Sequence, residues 1–180
     1  MKKILCGILA VAMAFSCAAC SGSNYSDYDT AVLELESVSA KAGSEIDVEV
    51  YLGNNPGTAC VDVELEYDSS VFTAVGAKVA GDLKGNGLFS SNVTEDEYEM
   101  VADGGNLHAM WFNGFNTDAT GEVMVLTFEV AEDAPAGEYT ISFVQGEDDL
   151  VSVVETGSGV DDVDYVNLDV TYIDGVITVS

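Results

Sequence analysis

The sequence predicts an all-β domain built as an antiparallel β-sandwich. Three observations predict this fold class: an apolar pattern of period two from about residue 30 onward, turn signals between the apolar runs, and no run with a helical apolar stripe. About eight or nine strands without a helical crossover are typical of antiparallel pairing in a sandwich or jelly roll.

The first two strands are predicted at 46–52 and 60–67, where apolar and polar residues alternate. Side chains alternate between the two faces of a sheet, so the apolar residues at 61, 63, 65 and 67 are expected to face the core. The other side of the second strand then points outward and carries Cys60, Asp62, Glu64 and Glu66.

The later strands fall into two classes. Segments 107–112 and 123–130 are apolar on both faces, which is typical of central or doubly covered strands. Segments 139–143 and 166–172 alternate again and are predicted to be half-buried strands. Turn-forming residues separate the runs at 53–57, 103–106, 134–137 and 174–175.

Residues 1–19 have the organisation of a signal peptide. A basic start, Met1-Lys2-Lys3, is followed by an apolar stretch from Ile4 to Phe15 and by small residues up to Ala19. The apolar stretch is shorter than the roughly 20 residues that a membrane-spanning helix needs. The sequence therefore predicts that the chain is exported.

The end of this leader resembles a bacterial lipobox, in the residues Cys17-Ala18-Ala19-Cys20. The resemblance implies that Cys20 receives a lipid and becomes the new N-terminus, which would hold the protein on the outer side of the membrane. Residues 20–30 then form a polar tether. Cys17 stands where the lipobox prefers Leu, and ordinary secretion after Ala19 is the alternative.

Composition excludes several classes of function. The chain has 32 acidic residues against five lysines and no arginine, and its net charge is −27. Nucleic acids and anionic membrane surfaces both require basic side chains, so neither is an expected partner of the protein surface. A hydrophobic fraction of 48% and a mean hydropathy of +0.21 indicate a folded domain, assigned to residues 31–180.

The ionisable residues predict no catalytic site and no metal site. His108 is the only histidine, so a Ser-His-Asp triad could use no other base. No carboxylate pair stands out from so acidic a surface. Acidic clusters such as Asp148-Asp149 do not follow a calcium-loop pattern and are expected to be solvated. Removal of the leader and lipidation of Cys20 would leave Cys60 as the one thiol, so no intrachain disulfide is expected.

Several motifs, taken in order along the chain, resemble those of cohesin modules. The signature of the family's third strand is matched by 57–68 (GTACVDVELEYD), followed by 69–72 (SSVF) and 81–83 (GDL). Further matches are 109–112 (AMWF), 121–130 (GEVMVLTFEV), 134–141 (APAGEYTI) and 174–179 (DGVITV). The resemblance covers about residues 31–180.

This resemblance implies a nine-stranded jelly roll that does no chemistry itself. Cohesins bind a dockerin, a small calcium-stabilised helical module carried by a secreted polysaccharide-degrading enzyme or by a scaffoldin. The expected partner is therefore a dockerin, and calcium is expected on that partner while this chain needs no cofactor. We expect the chain to be a monomer whose acidic platform attracts a helix that bears Lys or Arg.

The resemblance also implies which residues form the dockerin platform. Asp62 matches the family's acidic residue on the strand that also carries Cys60, Glu64 and Glu66. Matching 109–113 to the family's central strand turns His108, Met110 and Phe112 toward the core. It places a second set of residues on the platform, namely Ala109, Trp111, Asn113, Leu150 and Ser152. A core position for Trp111 is the alternative, and a strand around 98–102 is expected to contribute as well.

Two other functions are compatible with the predicted fold. A carbohydrate-binding module of jelly-roll shape would need a row of exposed aromatic side chains, for which Trp111 is the obvious candidate. An Ig-like adhesion or structural domain would have no selective helical partner.

Overall fold

The computed structural model of the chain describes residues 24–93, 106–155 and 163–180. The predicted signal peptide, Cys20 and the strand expected around 98–102 lie outside the described residues. The described ranges contain thirteen β-strands and two short 3-10 turns, Tyr25–Asp27 and Gly81–Leu83. Neither turn approaches the length and hydrophobicity of a membrane-crossing helix, and the described ranges hold no other candidate.

The first sheet has five strands in the spatial order β12-β1-β3-β8-β5. Their bounds are β1 Ala31–Leu35, β3 Glu45–Gly53, β5 Phe72–Val79, β8 Gly121–Val130 and β12 Val170–Ile173. The long antiparallel pair of β3 and β8 forms the middle of this sheet.

The second sheet has eight strands arranged around β4. Their bounds are β2 Val38–Ala40, β4 Thr58–Glu66, β6 Leu88–Ser91, β7 Leu107–Thr117, β9 Gly137–Phe143, β10 Leu150–Glu155, β11 Val163–Asn167 and β13 Gly175–Val179. One edge of β4 pairs with β7, which pairs in turn with β6. The other edge is shared, with β10 beside Cys60 and Val61 and β9 beside Leu65 and Glu66.

The core lies between the two sheets and is made by the apolar sides of the alternating strands. Val48, Val50 and Leu52 of β3 are completely buried, as the period-two pattern predicts. Edge-to-face aromatic contacts reinforce this core, and one of them joins Tyr67 to Phe128 with ring centroids 5.1 Å apart. The predicted all-β sandwich is confirmed.

The described ranges hold thirteen strands where eight or nine were predicted, and two further details of the fold differ from the sequence prediction. The segment 166–172 is not one strand, because β11 and β12 belong to different sheets and the chain crosses between them at Leu168 and Asp169. An alternating pattern does not reveal such a crossing, since residues on both sides of it keep period two. In addition, β12 lies parallel to β1 and β13 lies parallel to β2, so antiparallel pairing dominates without being universal.

Part of the predicted tether lies against the domain. The side chain of Asn54, in the turn between β3 and β4, donates hydrogen bonds to the carbonyl oxygens of Tyr25 at 2.6 Å and Tyr28 at 2.9 Å. The ring of Tyr25 covers Gly53 so closely that a Cβ at Gly53 would be 2.3 Å from it. Residues 25–28 are therefore held at the end of the sandwich where β4 begins.

Candidate functional site

The orientation of β4 agrees with the sequence prediction. Val61, Val63 and Leu65 are buried between the sheets, with at most 1% of their surface exposed. The residues that alternate with them face outward, and they are the predicted set Cys60, Asp62, Glu64 and Glu66. This outward side of β4 is the centre of the candidate site.

The orientation of β7 is opposite to the one expected. Ala109 and Trp111 are completely buried and face Val63 and Val61 in register, so their predicted place on the platform is wrong. Residues directly opposite each other in an antiparallel pair share a face of the sheet. Three residues of β7 therefore face outward beside Glu64, Asp62 and Cys60, and these are His108, Met110 and Phe112.

Trp111 is a core residue with a specific hydrogen bond. Its Nε1 donates to the carbonyl oxygen of Asn86 at 2.6 Å. Gly87, with φ +76°, lies over the indole, and a Cβ at this position would be 2.7 Å from Nε1. The loop that leads into β6 thus encloses the indole and satisfies its only donor.

The two platform residues predicted on β10 also lie on the inner side of their strand. Leu150 is completely buried and lies opposite Val61, and Ser152 shares its side of the strand, so the expected platform placement of this pair is wrong. Val151 and Val153 occupy the other side, where Val151 faces Cys60. Asn113 lies in an irregular stretch of β7, and its side chain accepts a hydrogen bond from the N–H of Gly114 at 2.8 Å.

The outward side of five strands forms a continuous surface, which we call the mixed face. One row of side chains crosses it perpendicular to the strands, because registered pairs join β6, β7, β4, β10 and β11. This apolar row consists of Leu88, Phe112, Cys60, Val151 and, at its end, the polar Asn167. Leu88 is 53% exposed and Phe112 is 41% exposed, so the row presents hydrophobic surface to solvent.

Further along β4 the mixed face becomes acidic. Asp62, Glu64 and His108 line a cleft of about 260 Å³ together with the loop between β9 and β10, which adds Glu147, Asp148 and Asp149. His108 Nε2 donates to Asp62 Oδ1 at 2.5 Å. This hydrogen bond raises the pKa of His108, against the lowering effect of its partial burial, and the charges of Asp62, Glu64 and Asp149 raise it further. The expected inward position of His108 is wrong.

Asp149 holds the acidic loop in place. Its carbonyl oxygen accepts from the N–H of Asp62 at 2.8 Å. Its carboxylate accepts from the N–H of Gly146 at 2.9 Å and from the hydroxyl of Tyr172 at 2.5 Å. Burial raises the pKa of Tyr172, and the hydrogen bond to Asp149 raises it further. The loop is thus fixed beside Asp62 by both the main chain and the side chain of one residue.

The mixed face carries the one cysteine of the described ranges, Cys60. Burial raises the pKa of Cys60 to about 12, with a smaller contribution from the charge of Asp62, so the thiol stays protonated at neutral pH. Within the described ranges no group of three or more His, Cys, Asp or Glu side chains is arranged to hold a metal ion.

Comparison with known proteins assigns the fold to a family. Residues 31–179 match the family described as Cohesin domain. The chain belongs to the cohesin family. Cohesin domains are non-catalytic modules for protein–protein interaction. No curated protein matches this cohesin in sequence.

Solved structures share the fold of this cohesin at low sequence identity. The seventh ScaB type I cohesin from Pseudobacteroides cellulosolvens is 21% identical, with a TM-score of 0.60 over 84% of this chain and 92% of that chain. The cohesin of a type I cohesin–dockerin complex from Clostridium thermocellum is 22% identical, with a TM-score of 0.61 over 84% of this chain and 100% of that chain. A non-cellulosomal cohesin from Archaeoglobus fulgidus is 16% identical, with a TM-score of 0.56 over 84% and 91% of the two chains.

Sequence reasoning missed part of the cohesin's mixed face because β7 is apolar on both sides. A shift of one residue in a strand moves every side chain to the opposite face, and hydrophobicity alone did not fix which side of β7 was inward. One signal was available, since His108 is the most polar residue between Leu107 and Phe112 and shares a side with Met110 and Phe112. Leu88, Val151 and Tyr165 become neighbours of this surface only through strand pairing.

Proposed function

We propose that this cohesin domain binds a dockerin through the mixed face. The observation that carries the proposal is a sheet surface on which exposed apolar side chains and a carboxylate cleft lie side by side, at Phe112 and Leu88 and at Asp62 and Glu64. Solved relatives of the same fold include cohesin–dockerin complexes, which supports a dockerin as the partner.

Exposed hydrophobic residues also mark this surface. Three of the eight large hydrophobic side chains that are exposed in the described ranges lie on the mixed face by strand register, namely Leu88, Phe112 and Tyr165. Phe115, which is 80% exposed, follows in the irregular end of β7. Exposed clusters of this kind are typical of protein interaction sites, and aromatic side chains contribute most to such interfaces.

The shape of the mixed face also suits a macromolecular partner. Small ligands are usually held in concave, mostly apolar pockets that bury most of the ligand. Here the apolar row lies on an open sheet, and the cleft beside it is lined by carboxylates. Trp111, the residue that favoured a carbohydrate-binding module, is completely buried and is not available for stacking on a sugar.

Titration with purified dockerins tests the proposal. The exported chain, residues 20–180 with Cys20→Ser, is titrated calorimetrically with a panel of dockerin modules in calcium and again after chelation. We expect at least one dockerin to bind in calcium and to lose affinity when calcium is removed, because calcium stabilises the partner. Absence of binding across the panel, or binding that calcium does not affect, would contradict the proposal.

We further propose that Cys20 carries a lipid and that the cohesin recruits enzymes or scaffoldins for polysaccharide degradation on the outer side of the membrane. The Cys17–Cys20 motif and the polar residues that follow it support the anchor. Metabolic labelling with an alkyne fatty acid is expected to mark the wild-type protein and a Cys17→Ala control. Cys20→Ala is expected to lose the label, and its continued labelling would contradict the anchor.

A further inference from the structure

We propose that one end of the sandwich lies on the membrane surface and touches lipid through exposed side chains such as Phe115. This part, which we call the anchor end, consists of the turn 54–57, the segments 25–30 and 113–119, and the paired strands β10 and β11. The inference rests on the lipid anchor proposed above and adds which part of the domain the membrane contacts. It follows from the hydrogen bonds that gather at the turn between β3 and β4.

The hydrogen bonds of Asn54 shorten the free connection to Cys20. Asn54 has φ +48°, a left-handed conformation that Asn tolerates better than most residues, and its side-chain amide donates to the carbonyl oxygens of Tyr25 and Tyr28. Five residue steps separate Cys20 from Tyr25, and they span at most roughly 18 Å. Ten free steps to Thr30 would span roughly 36 Å. A lipid on Cys20 therefore keeps the anchor end close to the bilayer.

The same turn fastens two further segments to the anchor end. Asn55 Nδ2 donates to the carbonyl oxygens of Thr117 at 3.0 Å and Ala119 at 2.9 Å. Asn116 bonds both main-chain groups of Val153 on β10, since its Nδ2 donates to the carbonyl oxygen at 2.8 Å and its Oδ1 accepts from the N–H at 2.7 Å. The N-terminal segment, the end of β7 and the strands β10 and β11 are therefore joined at one end of the sandwich.

Exposed hydrophobic side chains are concentrated at the anchor end. The described ranges expose eight large hydrophobic side chains, and five of them belong to its segments. These five are Tyr28, Phe115, Val154, Tyr165 and Val166. Phe115 has the largest exposed fraction of them, 80%, and lies where four residues of β7 stand opposite Ala59 alone. Aromatic side chains are favoured at the boundary between lipid and water.

Most of this hydrophobic surface stays uncovered when a dockerin occupies the mixed face. Val151 and Asn167 face each other on the mixed face, whereas Val154 and Val166 lie on the other side of the same two strands. Tyr165 belongs to both surfaces by register. The anchor end can therefore contact a membrane while the mixed face holds its partner.

Charge favours a membrane over a second copy of the chain as the occupant. The anchor end carries the exposed carboxylates Asp27, Asp29 and Asp118, and none of the lysines in the described ranges belongs to its segments. Two copies that met here would bring like charges together, whereas a lipid on Cys20 places this end at a bilayer regardless of charge. The contact is then apolar in origin, so uncharged lipids favour it and anionic lipids weaken it.

Tryptophan fluorescence on vesicles tests the contact. The exported chain, residues 20–180 with Cys60→Ala, is joined through the Cys20 thiol to a maleimide phospholipid in vesicles of phosphatidylcholine with brominated acyl chains. Phe115→Trp places an indole at the anchor end, and the matched control Ala136→Trp places one in the exposed turn between β8 and β9 at the opposite end. The signal of the native, buried tryptophan is subtracted.

Phe115→Trp is expected to lose fluorescence on brominated vesicles, relative to unbrominated ones, and to shift its emission to shorter wavelength. Ala136→Trp is expected to keep both its intensity and its wavelength. An equal admixture of phosphatidylglycerol should reduce the quenching of Phe115→Trp. Adding Asn54→Gly should also reduce it, because glycine keeps the left-handed backbone but lacks the amide that holds residues 25–28.

Equal quenching of Phe115→Trp and Ala136→Trp, or quenching of neither, overturns the inference. Quenching that Asn54→Gly or phosphatidylglycerol leaves unchanged overturns it as well. The chemical linkage at Cys20 replaces cellular lipidation, so these outcomes do not depend on whether cells modify Cys20. Failure of the proposed anchor is seen separately, as absence of the fatty-acid label on the wild-type protein.

Discussion

The two outer faces of the sandwich are both formed by β-sheets, but their exposed side chains are very different. The outer side of β3 and β8, which we call the acidic face, presents Glu45, Asp47, Glu49, Thr127 and Glu129. The mixed face presents carboxylates as well, but it adds the exposed Leu88 and Phe112. Charge by itself therefore does not distinguish a binding surface in so acidic a protein, whereas exposed hydrophobic side chains beside charge do.

The acidic face is organised to tolerate its own charge. Thr127 Oγ1 donates to Asp47 at 2.6 Å, and Lys78 Nζ lies 3.8 Å from the same carboxylate. Near the other end of this face, burial and the charge of Glu49 raise the pKa of Glu36. Such exposed ion pairs contribute little to stability. Of the large hydrophobic side chains that are exposed in the described ranges, one, Val75, belongs to a strand of this sheet.

The largest expected effect separates the inner and outer sides of β7. Trp111→Ala should lower the free energy of unfolding by about 3–5 kcal/mol, because it leaves a cavity and removes the hydrogen bond to Asn86. Phe112→Ala, one residue further along, should cost less than about 1 kcal/mol since its side chain is partly exposed. Chemical denaturation of both variants checks this. Equal losses would show that the two side chains do not lie on opposite faces.

A second effect concerns the loop that supports the rim of the mixed face. Gly87→Ala should lower the free energy of unfolding by about 2–3 kcal/mol, because the residue has φ +76° and its Cβ would be 2.4 Å from the carbonyl oxygen of Phe112. Gly85 has φ +79° but open space around it, so Gly85→Ala isolates the cost of the backbone conformation. In thermal or denaturant unfolding, the Gly87→Ala variant should be less stable than the Gly85→Ala variant. The reverse order of stability would contradict this packing.

A third effect is a pH dependence that only the mixed face should show. The pKa of His108 is raised by its hydrogen bond to Asp62, so the folded state binds this proton more tightly than the unfolded chain. The stabilisation is complete below the ordinary histidine pKa of about 6.5. It is lost as the pH rises through the higher pKa of the folded protein.

Comparison of the wild type with His108→Gln between pH 5 and pH 9 measures this stabilisation. The wild type should be the more stable protein at pH 5, and its advantage should shrink as the pH increases. Glu49→Gln on the acidic face provides a control that leaves His108 and its partner intact. An advantage that grows with pH would show that the His108–Asp62 pair does not act as described.

The smallest expected effect is a gain in stability on the acidic face. Glu45 and Glu129 lie directly opposite each other in the β3–β8 pair, and like charges in this position are destabilising. Glu129→Lys should raise the free energy of unfolding by roughly 0.2–1 kcal/mol, and added salt should reduce the gain. Glu138→Lys makes the same change of charge opposite Thr178 and should gain less. An equal gain in both variants would indicate net charge instead of the cross-strand pair.

The sequence supported the fold more firmly than it supported the site. Period two and turn signals located β3, β4 and β9 because each of these strands has an apolar side that must be buried. The outward direction of Asp62 and Glu64 followed from the same rule. Alternation could not show which side of β7 faces the core, because both sides of this strand are apolar. The assignment of Ala109 and Trp111 to the platform was therefore wrong.

By itself the sequence determined that the chain folds as a β-sandwich and that its surface is strongly acidic. It also determined that β4 turns its polar side outward, with Cys60, Asp62, Glu64 and Glu66. These properties depend on composition and on local alternation of apolar and polar residues. The tertiary structure decided which side of β7 is inward, and it brought Leu88, Phe112 and the Asp148–Asp149 loop to one surface. These relations depend on the register between strands far apart in the chain, and register is fixed by packing across the whole sheet.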